Sequence, residues 1–248
     1  MAINPVLVIL RFRVKEIKWE TAEVYTLVLA SEDLSDMFAF KAGQWAYLHL
    51  YDADHKTPWA KAAYSIGSAP SESQMQLEMC IKLKGEFTKR VSKLMPDDVV
   101  GVQGPFGVFV LPLGENPLVM FAGGIGITPL RSMIRELVKC KAQSVNRNVT
   151  LFYFNKYVEA SPYLEEFMDL TESAPWFRFV PVLTQQVPTD WAGERGRIDV
   201  EMIRRYSAID KEATYLMCGP RPFMEAIRAI LKAEGIDAKK QLKEELFG

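Results

Sequence analysis

The chain has 248 residues, 49% of them apolar, and carries 30 Lys and Arg against 31 Asp and Glu for a net charge of −1. That length accommodates two domains of about 100 to 150 residues, and the composition is that of a globular chain able to bury real cores. The balanced, scattered charge excludes a general attraction to nucleic acid or anionic membrane. No apolar run reaches the roughly 20 residues of a membrane-spanning helix, and Met1 to Glu16 lacks the layout of a signal peptide, so a cytoplasmic protein without membrane insertion is expected. Cys80, Cys140 and Cys218 are odd in number and widely spaced, and His49 and His55 are the only histidines. This argues against a disulfide framework, a metal site and an iron–sulfur centre in this chain.

In chain order, Leu10 to Ile17, Val24 to Ala30, Gln44 to Leu50, Ala62 to Gly67, Gln76 to Leu83 and Val99 to Gln103 read as short strands parted by turn signals. Their density predicts a six-stranded antiparallel barrel, with one helical interruption over Glu86 to Leu94, where Phe87, Arg90, Val91 and Leu94 recur at helical spacing. Gly104-Pro105-Phe106-Gly107 reads as a tight turn closing that barrel. After Pro117 the rhythm changes to strand, glycine turn and helix, with Leu118 to Ala122 followed by Leu130, Met133, Ile134, Leu137 and Val138 on one helical face. The alternation recurs as Val149 to Phe154 then Tyr163 to Leu170, Phe177 to Leu183 then Val200 to Tyr206, and Thr214 to Cys218 then Pro222 to Ala233. Alternating strands and helices predict a doubly wound parallel sheet, because parallel strands need crossover connections. The domain boundary is placed near Glu115, giving domains 1–114 and 115–248, and the polar stretch Thr184 to Arg197 reads as a surface loop.

The turn Gly123-Gly124-Ile125-Gly126-Ile127-Thr128-Pro129 lies between the first strand of the second domain and its helix. Glycines there permit close backbone approach and left-handed conformations, and the N–H groups at the helix start attract a pyrophosphate. Thr128 is expected as the N-cap and Pro129 as the first helical residue. Open α/β sheets bind ligands beyond the carboxyl ends of their strands, which singles out Asn155 and Lys156 after the second strand and Cys218-Gly219-Pro220 after the last. Asn155 suits ribose hydroxyls and Lys156 suits a 2′-phosphate, while no acidic residue stands there to exclude one, so the choice of nucleotide stays open. In the first domain, Tyr64 offers a stacking surface for a planar ligand, Ser65 a hydroxyl for a ring nitrogen, and Gly85-Glu86-Phe87-Thr88 a second phosphate-facing helix start.

The order of these pieces resembles the ferredoxin-NADP reductase superfamily. The resemblance runs from Tyr64-Ser65-x-x-Ser68 through Gly85-x-x-Thr88, Gly104-Pro105-Phe106-Gly107-x-Phe109, the Gly123 turn, Gly196-Arg197-Ile198-Asp199 and Cys218-Gly219-Pro220 to Glu244-Glu245-Leu246-Phe247. It implies a stand-alone flavoprotein without a fused iron–sulfur domain, in which FAD sits on the barrel and NAD(P)H on the α/β domain. Tyr64, Ser65 and Ile66 would hold the isoalloxazine ring, Gly85, Phe87 and Thr88 the FAD pyrophosphate, and Gly123, Gly124, Gly126 and Thr128 the pyridine nucleotide. Ser65, Cys218 and Glu245 would stand at the reacting atoms, with Phe247 covering the flavin. Hydride would pass from nicotinamide to flavin and onward to a ferredoxin, a flavodoxin, an oxygenase component or a small-molecule acceptor. The family's arginine two residues before the tyrosine is here Ala62; Lys61 is adjacent and Lys82 within reach, but neither has arginine's forked geometry, so FAD is expected to be held less tightly or by other contacts, with FMN as the alternative flavin. A non-catalytic flavin- or nucleotide-binding regulatory module is the alternative reading.

Overall fold

A computed structural model describes residues 8–31, 39–52, 58–72, 76–141 and 147–246; His55 and Phe247 fall outside them. The chain forms two compact units, residues 1–111 with 131–142 and residues 112–130 with 143–248.

In the first unit β1 (Leu10–Trp19), β2 (Val24–Ser31), β3 (Trp45–Tyr51), β4 (Pro58–Ser65), β5 (Leu77–Lys82) and β6 (Val99–Phe106) lie in the order β4-β3-β6-β1-β2-β5, with α1 (Glu86–Val91) between β5 and β6. All neighbours are antiparallel, the consecutive pairs β1–β2 and β3–β4 among them. The sheet closes on itself where Ile66 bridges Met79 and the Gly67 N–H donates to the Glu78 carbonyl at 2.7 Å. Along β1 the period of two places Phe12 and Val14 inside and Arg11 and Arg13 outside. Phe12, Leu27, Leu29, Leu48, Met79 and Val102 fill the barrel interior. Gly104 and Pro105 belong to β6 rather than to a closing turn; the turn starts at Gly107, whose φ is +94°.

The second unit contains β7 (Leu118–Gly123), α2 (Ile127–Lys141), β8 (Val149–Asn155), α3 (Leu164–Ser173), β9 (Phe177–Leu183), β10 (Glu194–Arg195), α4 (Val200–Tyr206), β11 (Thr214–Gly219), α5 (Arg221–Ala233), α6 (Ala238–Gln241) and β12 (Leu242–Leu246). The later part of α2, from Arg131, groups with the barrel. The parallel sheet runs β10-β9-β8-β7-β11-β12. Every residue of β7 and β8 is buried, as strands covered on both faces should be. From β7 the chain winds outward through β8 to β10 and then returns on the other side as β11, so the topological switch point lies between β7 and β11.

Two expectations need correction. Thr128 is not an N-cap: a 3-10 turn over Gly124–Gly126 runs straight into a helix starting at Ile127, so Thr128 lies inside the first turn. Short strands β10 and β12 also extend the sheet at its two edges; β10 lies within the stretch Thr184 to Arg197 that the sequence suggested as a loop, and β12 lies where no strand was expected.

Candidate functional site

On the barrel, β4 is the edge strand that delivers Tyr64 and Ser65. Tyr64 is half-buried against the core, its ring 6.3 Å from that of Phe87 with 23° between planes. Burial pushes its phenol up to about 12, so it stays protonated at neutral pH. Ser65 is buried, and its Oγ has no hydrogen-bond partner among the described residues. A buried hydroxyl left unsatisfied costs about 1–3 kcal/mol, so such a group marks a place where an outside partner completes the structure. Ile66, fully buried, closes the barrel opposite Met79.

At the start of α1 the Thr88 hydroxyl accepts from the Lys84 and Gly85 N–H groups at 2.9 and 3.1 Å and donates to the Gly85 carbonyl at 2.9 Å. Thr88 therefore shapes this helix start rather than offering a free hydroxyl. The fully buried Tyr25 donates from its phenol to the Thr88 carbonyl at 2.6 Å, which ties the helix to β2. Lys82 is exposed and pairs with Glu23 at 3.2 Å. Lys61 holds its ammonium 4.3 Å over the Tyr47 ring, on the face of β4 opposite to Ala62. Neither lysine takes the position that an arginine at 62 would have. Two residues that the sequence reading did not assign to the site join Tyr64 only through Phe87: Trp59 lies nearly parallel to Phe87, 6.4 Å away at 7°, and the Arg90 guanidinium sits 3.9 Å over the Trp59 ring while its Nε pairs with Glu86 at 3.3 Å. Arg90, Trp59, Phe87 and Tyr64 thus follow one another as a cation–aromatic stack.

In the second unit the glycine turn and the β11 turn close on each other. A Cβ on Gly126 would meet the Cys218 carbonyl oxygen at 2.3 Å, and one on Gly219 would meet the Gly123 Cα at 3.1 Å. Gly124 takes φ +54° with nothing within 4 Å of a built Cβ, so it supplies the left-handed residue on the open side. The Thr128 hydroxyl donates to the Ile125 carbonyl at 2.9 Å and pins this turn from within. Pro220 precedes α5, and Phe223 of α5 packs against Gly123 and the Phe154 ring, 5.2 Å away. Asn155 is buried at the end of β8, its carbonyl accepting from the Thr184 N–H and hydroxyl at 2.9 and 3.0 Å, and Lys156 is exposed beside it. Cys218 is fully buried and in register with Glu245 of β12. Burial, with the Glu245 carboxylate beside it, holds the thiol well above its ordinary pKa, so it is a neutral, weakly polar wall and not a thiolate. Among the described residues no cluster of His, Cys, Asp or Glu could hold a metal ion, and no helix is long and apolar enough to cross a membrane.

Residues 120–229 match the oxidoreductase NAD-binding domain family. The reductase component of propane 2-monooxygenase from Mycolicibacterium goodii is 30% identical over 208 residues, 80% of this chain and 57% of that protein. Among solved structures, the FAD/NAD-binding domain of nitric oxide dioxygenase from Vibrio cholerae O1 biovar El Tor superposes with a TM-score of 0.83 at 21% identity, covering 96% of this chain and 98% of that one. A ferredoxin-NADP+ reductase from Neisseria gonorrhoeae with bound FAD and NADP gives 0.78 at 19% identity, over 96% and 98%. The chain has the ferredoxin-NADP reductase fold. Within that superfamily fold its first unit is the antiparallel barrel and its second the parallel α/β sheet whose strands carry the NAD-binding family match. The chain spans only 57% to 63% of the length of the two propane 2-monooxygenase reductases that it matches.

Proposed function

We propose that this chain is a flavin-dependent oxidoreductase that takes hydride from NAD(P)H onto FAD and passes electrons to a protein acceptor such as an oxygenase component. The observation that carries the flavin half is the buried, unpartnered Ser65 hydroxyl directly after the half-buried Tyr64. When bound, FAD supplies the hydride-accepting ring and the ability to release electrons singly or in pairs. The chain's own residues bind and orient. Tyr64 gives a flat surface and Ser65 a hydroxyl of fixed position.

The glycine turn and the N–H groups at the start of α2 would receive the pyridine nucleotide pyrophosphate at the switch point, and Asn155 and Lys156 the ribose end. Cys218, neutral and fully buried, with Glu245 beside it, would wall the nicotinamide pocket without competing as a nucleophile. The domains are read as a flavin module up to residue 114 and a nucleotide module from 115. NAD(P)H chemistry and the absence of a cysteine pairing pattern favour a cytoplasmic setting. Titration of flavin-free protein with FAD and with FMN, for wild type and Tyr64→Ala, tests the reading. Saturable FAD binding that the variant weakens at least tenfold supports it, and wild-type protein that takes up neither flavin overturns it.

A further inference from the structure

The peptides that follow Ser65 are fastened from two sides, all within the first unit. From the barrel, the Ile66 N–H donates to the Gln44 carbonyl at 2.9 Å, and the Glu78 N–H donates to the Ser68 hydroxyl at 3.1 Å. From residues 131–136, Arg131 Nη1 donates to the Gly67 carbonyl at 3.2 Å and Ser132 Oγ to the Ser68 carbonyl at 2.7 Å. Arg131 is only 6% exposed, and Glu78 Oε2 holds it at 2.6 Å; Arg135 reaches the same oxygen at 3.1 Å and Glu72 at 2.8 Å. Glu78 is the hub: its carbonyl accepts from Gly67, its N–H donates to Ser68, and its carboxylate holds the arginine that binds the Gly67 carbonyl.

A buried ion pair adds little net stability over apolar packing of the same volume, since desolvation offsets its attraction. What this one does is fix a backbone. We infer that Arg131, held by Glu78 and seconded by Ser132, is a positioning residue that sets the Ser65–Gly67 segment so that the buried Ser65 hydroxyl meets the flavin in one orientation. The inference rests on the flavin reading above. No sequence motif announces it, because Arg131 and Glu78 lie 53 residues apart. Arg131 does not touch the flavin in this account; it acts through the Gly67 carbonyl, two residues from Ser65.

The test is a double-mutant cycle on the full chain, read as the FAD dissociation constant from flavin fluorescence quenching and as the visible circular dichroism of the bound flavin. Arg131→Met and Ser65→Ala are each expected to weaken FAD binding about tenfold, the scale of one hydrogen bond in a buried site. Because both act on the same contact, Arg131→Met in the Ser65→Ala background should cost less than about threefold more, and Arg131→Lys should recover most of the affinity and the dichroic signature. Ser132→Ala provides the same cycle through a smaller cut should Arg131→Met fail to fold. Losses that multiply to about a hundredfold, or an Arg131→Met protein that binds FAD as wild type does, overturn the positioning role while leaving the flavin reading intact. Wild-type protein that binds no FAD overturns the flavin reading itself, and this inference with it.

Discussion

Replacing Gly126 with alanine probes whether the glycine turn owes its shape to contact with β11. The added Cβ would lie 2.3 Å from the Cys218 carbonyl oxygen, 2.6 Å from its carbon and 2.9 Å from the Gly219 nitrogen. All three are backbone atoms of a buried strand and none can rotate away. To reach ordinary contact at 3.4 Å the turn must retreat by about 1.1 Å. Gly126 does not adopt a positive φ, so the penalty is steric alone. Overpacking of this kind costs roughly 1–3 kcal/mol, which at about 2–4 °C per kcal/mol lowers Tm by roughly 2–12 °C. If the start of α2 receives the nucleotide pyrophosphate as proposed, the same retreat would carry its N–H groups out of hydrogen-bond range, and NADH binding should weaken at least tenfold. Gly124→Ala is the control: with φ +54° and open space around its Cβ it pays about 1–2 kcal/mol of backbone strain without pressing on β11. Thermal unfolding with NADH titration reads both variants. A Gly126→Ala protein matching wild type in Tm and NADH affinity refutes the steric argument.

Removing the unpartnered hydroxyl by Ser65→Ala should leave the flavin-free protein as stable as wild type or about 1 kcal/mol more so. A flavin-free Tm lowered by several degrees would mean that the hydroxyl already has a structural use. Glu78 is held below its ordinary pKa: burial alone would raise it, but Arg131 and Arg135 outweigh that effect. Such a group stabilises the fold above the ordinary glutamate value of 4.5 and loses that contribution as pH falls toward its lowered value. Glu78→Gln should therefore cost roughly 3 kcal/mol at neutral pH, with the gap to wild type narrowing below pH 4.5; denaturant unfolding showing the same gap throughout would contradict this. Cys218→Ala should slow flavin reduction by NADH with the flavin still bound, and unchanged rapid-mixing kinetics would remove Cys218 from the nicotinamide pocket.

The central strands were legible because burial on both faces demands continuous apolar runs, and Leu118 to Ala122 and Val149 to Phe154 have them. The Gly123 turn was legible for the same reason of context: it sits between such a strand and an amphipathic helix. β12, with its sequence Leu-Lys-Glu-Glu-Leu, was not, because pairing with β11 rather than local propensity makes it a strand. Thr128-Pro129 carries the chemistry of a cap and first helical residue, but the 3-10 turn at Gly124–Gly126 had already begun the coil. Position 62 pointed to a missing arginine. The stack of Arg90, Trp59 and Phe87 joins the start of β4 to α1, a juxtaposition that only folding creates.

Anaerobic mixing of the FAD-loaded protein with NADH, and separately with NADPH, followed by the visible absorbance of the flavin, tests the account most directly. Two cofactors served by one chain predict rapid loss of that absorbance with at least one of the two nucleotides. A flavin that binds and keeps its absorbance with both would contradict hydride transfer and leave a binding module in its place.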